Sequence, residues 1–283
     1  MKISRLLVVL MLSVLTSCSC AGAEKKEIKA SKIMALVKKG KPVNMVGKII
    51  IGDLDFTAGS KPFIMNANTL QCNIQSNIFF EQCVFIGKVT SNGKFEKTLV
   101  QSCFRNNIVF TGCDFRGEVD FDEAVVFGMV NFSRSVFREK TCFNSVAVWA
   151  KDSYFSEIKA EKNFSMIYAS FAGNLYFLSA VFSANASFQE TSVQGSLMFN
   201  HCSFENRAAF DLMQMGGNAF FNNARFATTA NFSSSRFMSR ANFVNVTFDE
   251  KAIFEKTFFM NNVNFDGVNR ENMILTDAFF VNP

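Results

Sequence analysis

The sequence predicts an all-β chain wound as a four-sided parallel β-helix, a solenoid of about 22 residues per coil with a short capping helix at its N-terminal end. Three observations predict it. Large apolar residues recur in alternating steps of six and five: from Phe171 the marked positions are 171, 177, 182, 188, 193, 199, 204, 210, 215, 221, 226, 232, 237, 243, 248, 254, 259 and 265. All are Phe except Val193 and Met215. Four steps sum to 22, so the residues align in columns: Phe177, Phe199, Phe221, Phe243 and Phe265; Phe182, Phe204, Phe226 and Phe248; Phe188, Phe210, Phe232 and Phe254. A fourth column is expected to run Phe127, Trp149, Phe171, Val193, Met215, Phe237 and Phe259. Finally, the residue two before a marked position tends to be small, as at Ala180, Ala186, Ala208, Ala219, Ala224, Ala230, Ala241 and Ala252.

A helix cannot use this spacing. Steps of five and six rotate a helix by about 500° and 600°, which sends successive rings to opposite sides. A straight strand fails as well, because a step of six keeps the face and a step of five reverses it. The chain must turn a corner between one ring and the next. Each unit is then a very short strand and a turn, and coils stack at the strand spacing of about 4.8 Å. A column of rings leaves room beside it only for a methyl-sized neighbour. Leu175, Leu197 and Met213 break that rule and predict local swelling.

The units ASF, AAF, ANF and AIF (186–188, 208–210, 230–232, 252–254), alternating with ARF and VTF (224–226, 246–248), resemble the pentapeptide-repeat family in its Phe-centred form. The resemblance is strongest over 149–265 and weaker back to about residue 50. The usual unit of that family is a strict five, whereas every second unit here has six. The resemblance implies a right-handed quadrilateral β-helix, with a widened turn on two of the four sides.

Along the chain, MKISRLLVVLMLSVLTSCSC reads as an export signal: Lys2 and Arg5 precede an apolar run, Leu6–Val14, too short to span a membrane. Leu15-Thr16-Ser17-Cys18 matches the lipobox of bacterial lipoprotein signals. That resemblance implies cleavage before Cys18, lipidation of Cys18 as the membrane anchor and, with Ser19 following, the outer membrane in a two-membrane host. The alternative is an ordinary signal peptide cut after Ala21 or Ala23. The expected organisation is a signal peptide over 1–17, a basic tether and capping helix over 18–42, and the solenoid over 43–283.

The net charge of +5 is unevenly spread. Residues 1–23 carry +2 and residues 24–48 carry +6, which leaves −3 for the remainder. The basic stretch reads as a solvated linker, or as a weak attraction to anionic headgroups. A nucleic-acid partner is not expected behind an export signal with so weakly charged a body. Ser31–Lys39 reads as a helix, N-capped by Ser31, with Ile33, Met34, Leu36 and Val37 on one side and Gly40 and Pro42 at its end. It would cover the open first coil. VNMVGKIIIGDLDF (43–56) reads as that coil. Upstream of 149 the beat continues roughly through Phe104, Phe110, Phe115, Phe121, Phe127, Phe132, Phe137 and Phe143. Trp149, Phe155, Ala160 and Met166 follow. The polar segment SEIKAEKN (156–163) predicts a weak side, or a protruding loop. The tail NMILTDAFFVNP (272–283) offers no closing helix, so it is either a self-association edge, giving a homodimer, or an irregular cap.

Chemistry-bearing residues are sparse. Cys83, Cys113 and Cys202 occupy the small inward slot, and Cys72 does so before Ile74. Cys103 and Cys142 should face outward, 39 residues apart and out of register, so no disulfide framework is expected. His201 is the single histidine, which leaves no triad and no metal cluster. The pairs Asp53/Asp55 and Asp120/Asp122 are the remaining acid candidates for glycoside chemistry. Outward positions show no evident stripe, and Arg225 and Arg236 should lie on opposite faces. No catalytic residue, cofactor or metal is expected. The leading reading is a non-enzymatic, membrane-anchored scaffold or protein-interaction surface of the bacterial cell envelope, with an unknown envelope protein as partner. A carbohydrate-active exported β-helix is the alternative. A DNA mimic, as among the pentapeptide-repeat proteins that protect gyrase, would need a strongly acidic rod.

Overall fold

A computed structural model describes residues 26–95 and 98–281. The chain forms four parallel sheets, one on each side of a square winding. Face I runs from Val43–Val46 to Val263–Asn264, and face II from Glu27–Lys29 to Thr247–Phe248. Face III runs from Leu54–Asp55 to Met273–Ile274, and face IV from Phe63–Asn66 to Phe279–Phe280. Register follows the 22-residue period: Phe204 pairs with Phe226 and Phe226 with Phe248, while Ala208 pairs with Ala230 and Ala230 with Ala252.

The two step lengths have separate structural causes. A five-residue step is a tight corner. Its third residue takes positive φ, at Ser179, Glu190, His201, Leu212, Asn223, Ser234, Asn245 and Lys256, eleven apart. The next N–H closes the turn onto the preceding Phe carbonyl, as Ala224 does to Phe221 (3.0 Å) and Ser235 to Phe232 (3.1 Å). This is the pattern of a type II turn. Six-residue steps make the wider corners. At one of them Gly173, Gly195 and Gly217 stack; a Cβ on Gly195 would lie 2.6 Å from the Gly173 carbonyl carbon, so only glycine lets the coils close up there.

The rings fill the axis. Within columns they stack nearly parallel, Phe204 on Phe226 at 4.6 Å, Phe221 on Phe243 at 4.9 Å and Phe232 on Phe254 at 4.8 Å between centroids. Phe177–Phe199, Phe199–Phe221, Phe243–Phe265, Phe188–Phe210 and Phe210–Phe232 continue these stacks. Between columns they meet edge to face, Phe221 against Phe232 at 89°. The aromatic quadrupole favours both arrangements, offset stacking and edge contact. The alanines of the small slot are buried, and so are Leu175, Leu197 and Met213.

Helix α1 (Ala30–Val37) lies over the first coil and buries Ala30, Ile33, Met34 and Val37. Lys29, not Ser31, occupies its N-cap, and no side chain caps it. Glu27–Lys29 is already a strand, paired with Ile49–Ile51, so the solenoid starts inside the expected tether. The segment 156–163 is a regular side, with Lys159–Ala160 in face II. The protrusions occur elsewhere, as hairpins on face IV: Phe63–Asn66 with Thr69–Ile74, and Asn92–Phe95 with Thr98–Phe104.

The fourth column departs from expectation. Val126 and Val148, not Phe127 and Trp149, pair inward in register with Phe171. The step from Phe121 is the tight five-residue corner, with Glu123 at φ 57°, which brings Val126 rather than Phe127 inward. Val148 pairs 23 residues on because the corner after it holds one extra residue; Val130 accordingly pairs with Ser153. Two valines in a ring column leave a small apolar void of about 10 Å³ beside Phe121, Phe132 and Phe155. That is about the least a water molecule needs, and its lining offers no hydrogen bond.

Candidate interaction surfaces

Cys18, the expected lipidation residue, lies outside the described residues. The described chain begins at residue 26, at the N-terminal end of the rod, and no described helix is long and apolar enough to cross a membrane. Cys72, Cys83, Cys103, Cys113, Cys142 and Cys202 are all buried. Cys103 and Cys142 were expected outside. Both point away from the axis, but each is a small thiol in a ladder of neighbours, Cys103 between Asn73 and Val125 and Cys142 between Asp120 and Ser165. Those neighbours cover them. Burial pushes both thiols above the usual range, against the pull of the nearby Arg105 and Lys140 charges.

The acid pairs work as corner fasteners. Asp55 accepts from the N–H (2.9 Å) and hydroxyl (2.6 Å) of Thr57, and Asp53 accepts from the N–H of Lys88 (2.8 Å). Asp120 accepts from Asn92 (2.5 Å) and from the N–H of Asp122 (3.0 Å). Asp122 accepts twice from Asn144, at 2.6 and 3.1 Å; desolvation is the main cause raising its carboxyl above the ordinary range. Asp55, Asn92 and Lys94 also border a cleft of about 400 Å³ beneath the hairpins, with Pro62, Leu70 and Val100 as apolar walls. His201 is exposed at φ 59°, where its role is to shape a corner. No group of three or more His, Cys, Asp or Glu suited to a metal occurs among the described residues.

The outside is striped, contrary to the sequence reading. Face II carries charge of alternating sign. Arg138 bridges Asp114 (2.6 Å) and Glu161 (3.4 Å), and Arg225 bridges Glu205 (3.4 Å) and Asp249. Exposed pairs of this kind add little stability; they set the character of the surface. Arg225 and Arg236 do lie on opposite faces, II and IV.

Face IV carries two aromatic and apolar clusters, separated by polar outward residues such as Ser192, Gln214 and Arg236. Phe127 and Trp149, 44% and 63% exposed, stack outside the coil at 6.5 Å and 13°. Arg105 lies 4.8 Å from the Phe127 centroid and is steadied by Asn73 (3.1 Å). The other side of Trp149 opens on a shallow recess lined by Ser170, Ala172 and Gln194. Further along, Phe258 stacks on the exposed Phe279 at 5.4 Å, beside Met238, Met260 and Val281. The sequence conceals these clusters because Phe127 and Trp149 keep the 22-residue spacing to Phe171 that the inward column uses. The C-terminal end is a last partial coil, with Met273–Ile274 and Phe279–Phe280 as the outermost strands of faces III and IV: Phe280 stacks on Phe259 (5.0 Å), and Asn272 donates to the Phe248 carbonyl (2.8 Å).

No family model, curated protein or solved structure matches the chain.

Proposed function

We propose that the chain is a non-enzymatic, membrane-anchored β-helix that serves as a scaffold or protein-interaction surface in the bacterial cell envelope, held through lipidated Cys18 on the outer membrane where the host has one. The supporting observation is the Phe127–Trp149 stack, exposed on a rod whose interior is filled by rings. A folded chain has no packing reason to leave an indole 63% exposed, and exposed aromatic clusters of this kind mark contact surfaces. The pentapeptide-repeat likeness, seen in the Phe columns and the square winding, is consistent with such a role.

The test is cross-linking in envelope fractions. The wild type should yield a defined adduct with an envelope protein, and Trp149→Ala should lose it while melting unchanged. After a high-salt wash that screens any lysine-headgroup attraction, Cys18→Ala should leave the membrane fraction. Equal membrane retention of Cys18→Ala would remove the anchor from this reading, and an adduct indifferent to Trp149→Ala would remove the surface. Sedimentation that finds dimers broken by Phe279→Asp would make the partner a second copy through the C-terminal edge.

One observation favours the carbohydrate-active reading: the hairpin cleft has Asp55 at its wall. Asp55→Asn keeps an acceptor for Thr57 but removes the acid. Release of reducing ends from envelope polysaccharide that this substitution abolished would replace the scaffold reading.

A further inference from the structure

We infer that the N-terminal end of the rod docks directly on an anionic bilayer surface, in addition to any lipid on Cys18; the inference rests on the membrane-anchored reading for its location. Two independent features converge on that end. One is charge. Between residues 26 and 61 the chain places lysines at 26, 29, 32, 38, 39, 41, 48 and 61 against Glu27, Asp53 and Asp55. All of these lysines but the half-buried Lys48 are exposed. Helix α1 turns Ile33, Met34 and Val37 onto the coil, so its polar side, with Lys32, faces away from the rod along its axis. The body beyond residue 48 is net negative, so the positive field is confined to one end.

The other feature is an apolar edge at the same end. Phe63, Ile64 and Met65 form the outermost strand of face IV and are 42%, 77% and 50% exposed, with Lys61 and Pro62 just before them. Nothing in the described chain packs over them. Apolar side chains beside lysines suit the boundary between headgroups and acyl chains, where the first insert and the second meet phosphates.

The reach of the chain fits. Eight peptide steps separate Cys18 from Lys26, about 28 Å at full extension. An anchor at Cys18 therefore holds this end, and not the C-terminal one, against the bilayer. Lysines that come within a Debye length, about 8–10 Å, then add attraction that salt weakens.

The experiment uses the chain from Ser19 onward, which keeps every described residue and lacks the lipid site, so its outcome is independent of Cys18. Binding is measured by vesicle sedimentation at 0.1 M salt, on neutral phosphatidylcholine and on vesicles with one third phosphatidylserine. The expected result is binding to the anionic vesicles only. It should fall roughly tenfold or more when Lys32, Lys38 and Lys39 are all changed to Glu. Ile64→Ser should weaken it by several-fold, with thermal melting unchanged in both variants. Equal binding to both vesicle types, no binding to either, or binding that survives both sets of substitutions overturns the proposal. So does retention by a soluble polyanion alone.

Discussion

Phe221 shows what a single ring contributes. It is fully buried, stacked between Phe199 (5.4 Å) and Phe243 (4.9 Å) and edge-on to Phe210 and Phe232. Its neighbours are fixed by backbone pairing on all sides, so a vacated site cannot collapse. Phe221→Ala should cost about 3–5 kcal/mol in urea unfolding. Phe221→Asp should cost more, because an unpaired carboxylate would sit among rings. A Phe221→Asp protein that unfolds at the wild-type urea concentration would contradict the packing. The opposite sign is expected at Leu212, a half-exposed leucine held at φ 60°. Left-handed backbone costs an L-residue about 1–2 kcal/mol, less what glycine loses in chain entropy. Leu212→Gly should therefore raise stability by about 0.5–1 kcal/mol, read as a higher melting temperature. These corners were hard to see in the sequence. The left-handed positions hold side chains as different as Gln, Glu, Arg, Ser, Tyr, His, Leu, Asn, Lys and Asp, and what unites them is lying two residues after the inward residue in each five-residue step. The inward rings were legible because phenylalanine repeats at a phase that no helix or flat strand can use.

At the scale of a corner, the small slot has a second role that size alone does not reveal. At five positions of the slot a hydroxyl or thiol donates to a carbonyl of the coil before: Ser135 to Phe110 (2.7 Å), Ser235 to Phe210 (2.5 Å), Thr257 to Phe232 (2.8 Å), Cys202 to Phe177 (2.6 Å) and Thr191 to Met166. Each ties one corner to the corner below it, 25 residues earlier, in a direction the strand ladder does not cover. Ser235 also accepts from the N–H of Met213 (3.0 Å). Ser235→Ala leaves both groups short of a partner and should cost about 1–3 kcal/mol. Ser235→Cys should recover part of the loss, as Cys202 suggests, and equal stability of all three proteins would exclude the bond as a contributor. Burial pushes the Cys202 thiol far above its ordinary pKa, and Cys72, Cys103 and Cys142 also shift upward. The reactive thiolate is then scarcer at pH 8 than in a free thiol. A colourless disulfide reagent at pH 8 should label none of the six described cysteines in the native protein, and all of them once urea is added.

The whole molecule is a stack in which each coil touches only the coil above and the coil below, so its stability is close to a sum of repeated terms. Surface stripes follow from the same geometry, since a position keeps its face from one coil to the next as long as the period holds. One extra residue in the corner after Trp149, and two hairpins before it, shift that period, so the aromatic clusters of face IV are not legible from the period alone. Where the period is unbroken, register alone should decide which deletions the fold accepts. Met198 and Phe220 are partners on face I, so removing residues 199–220 joins Met198 to Phe221 with every ring still in its column. That protein should keep the wild-type far-ultraviolet spectrum and unfold cooperatively, with a urea dependence lower by about a tenth, in proportion to the surface buried. Removing only residues 199–203 takes out one tight corner and brings face I onto face II without a turn, so rings above the cut meet the wrong columns below it. Cooperative unfolding should be lost. If the five-residue deletion proved as stable as the 22-residue one, the coil could not be the unit of this fold.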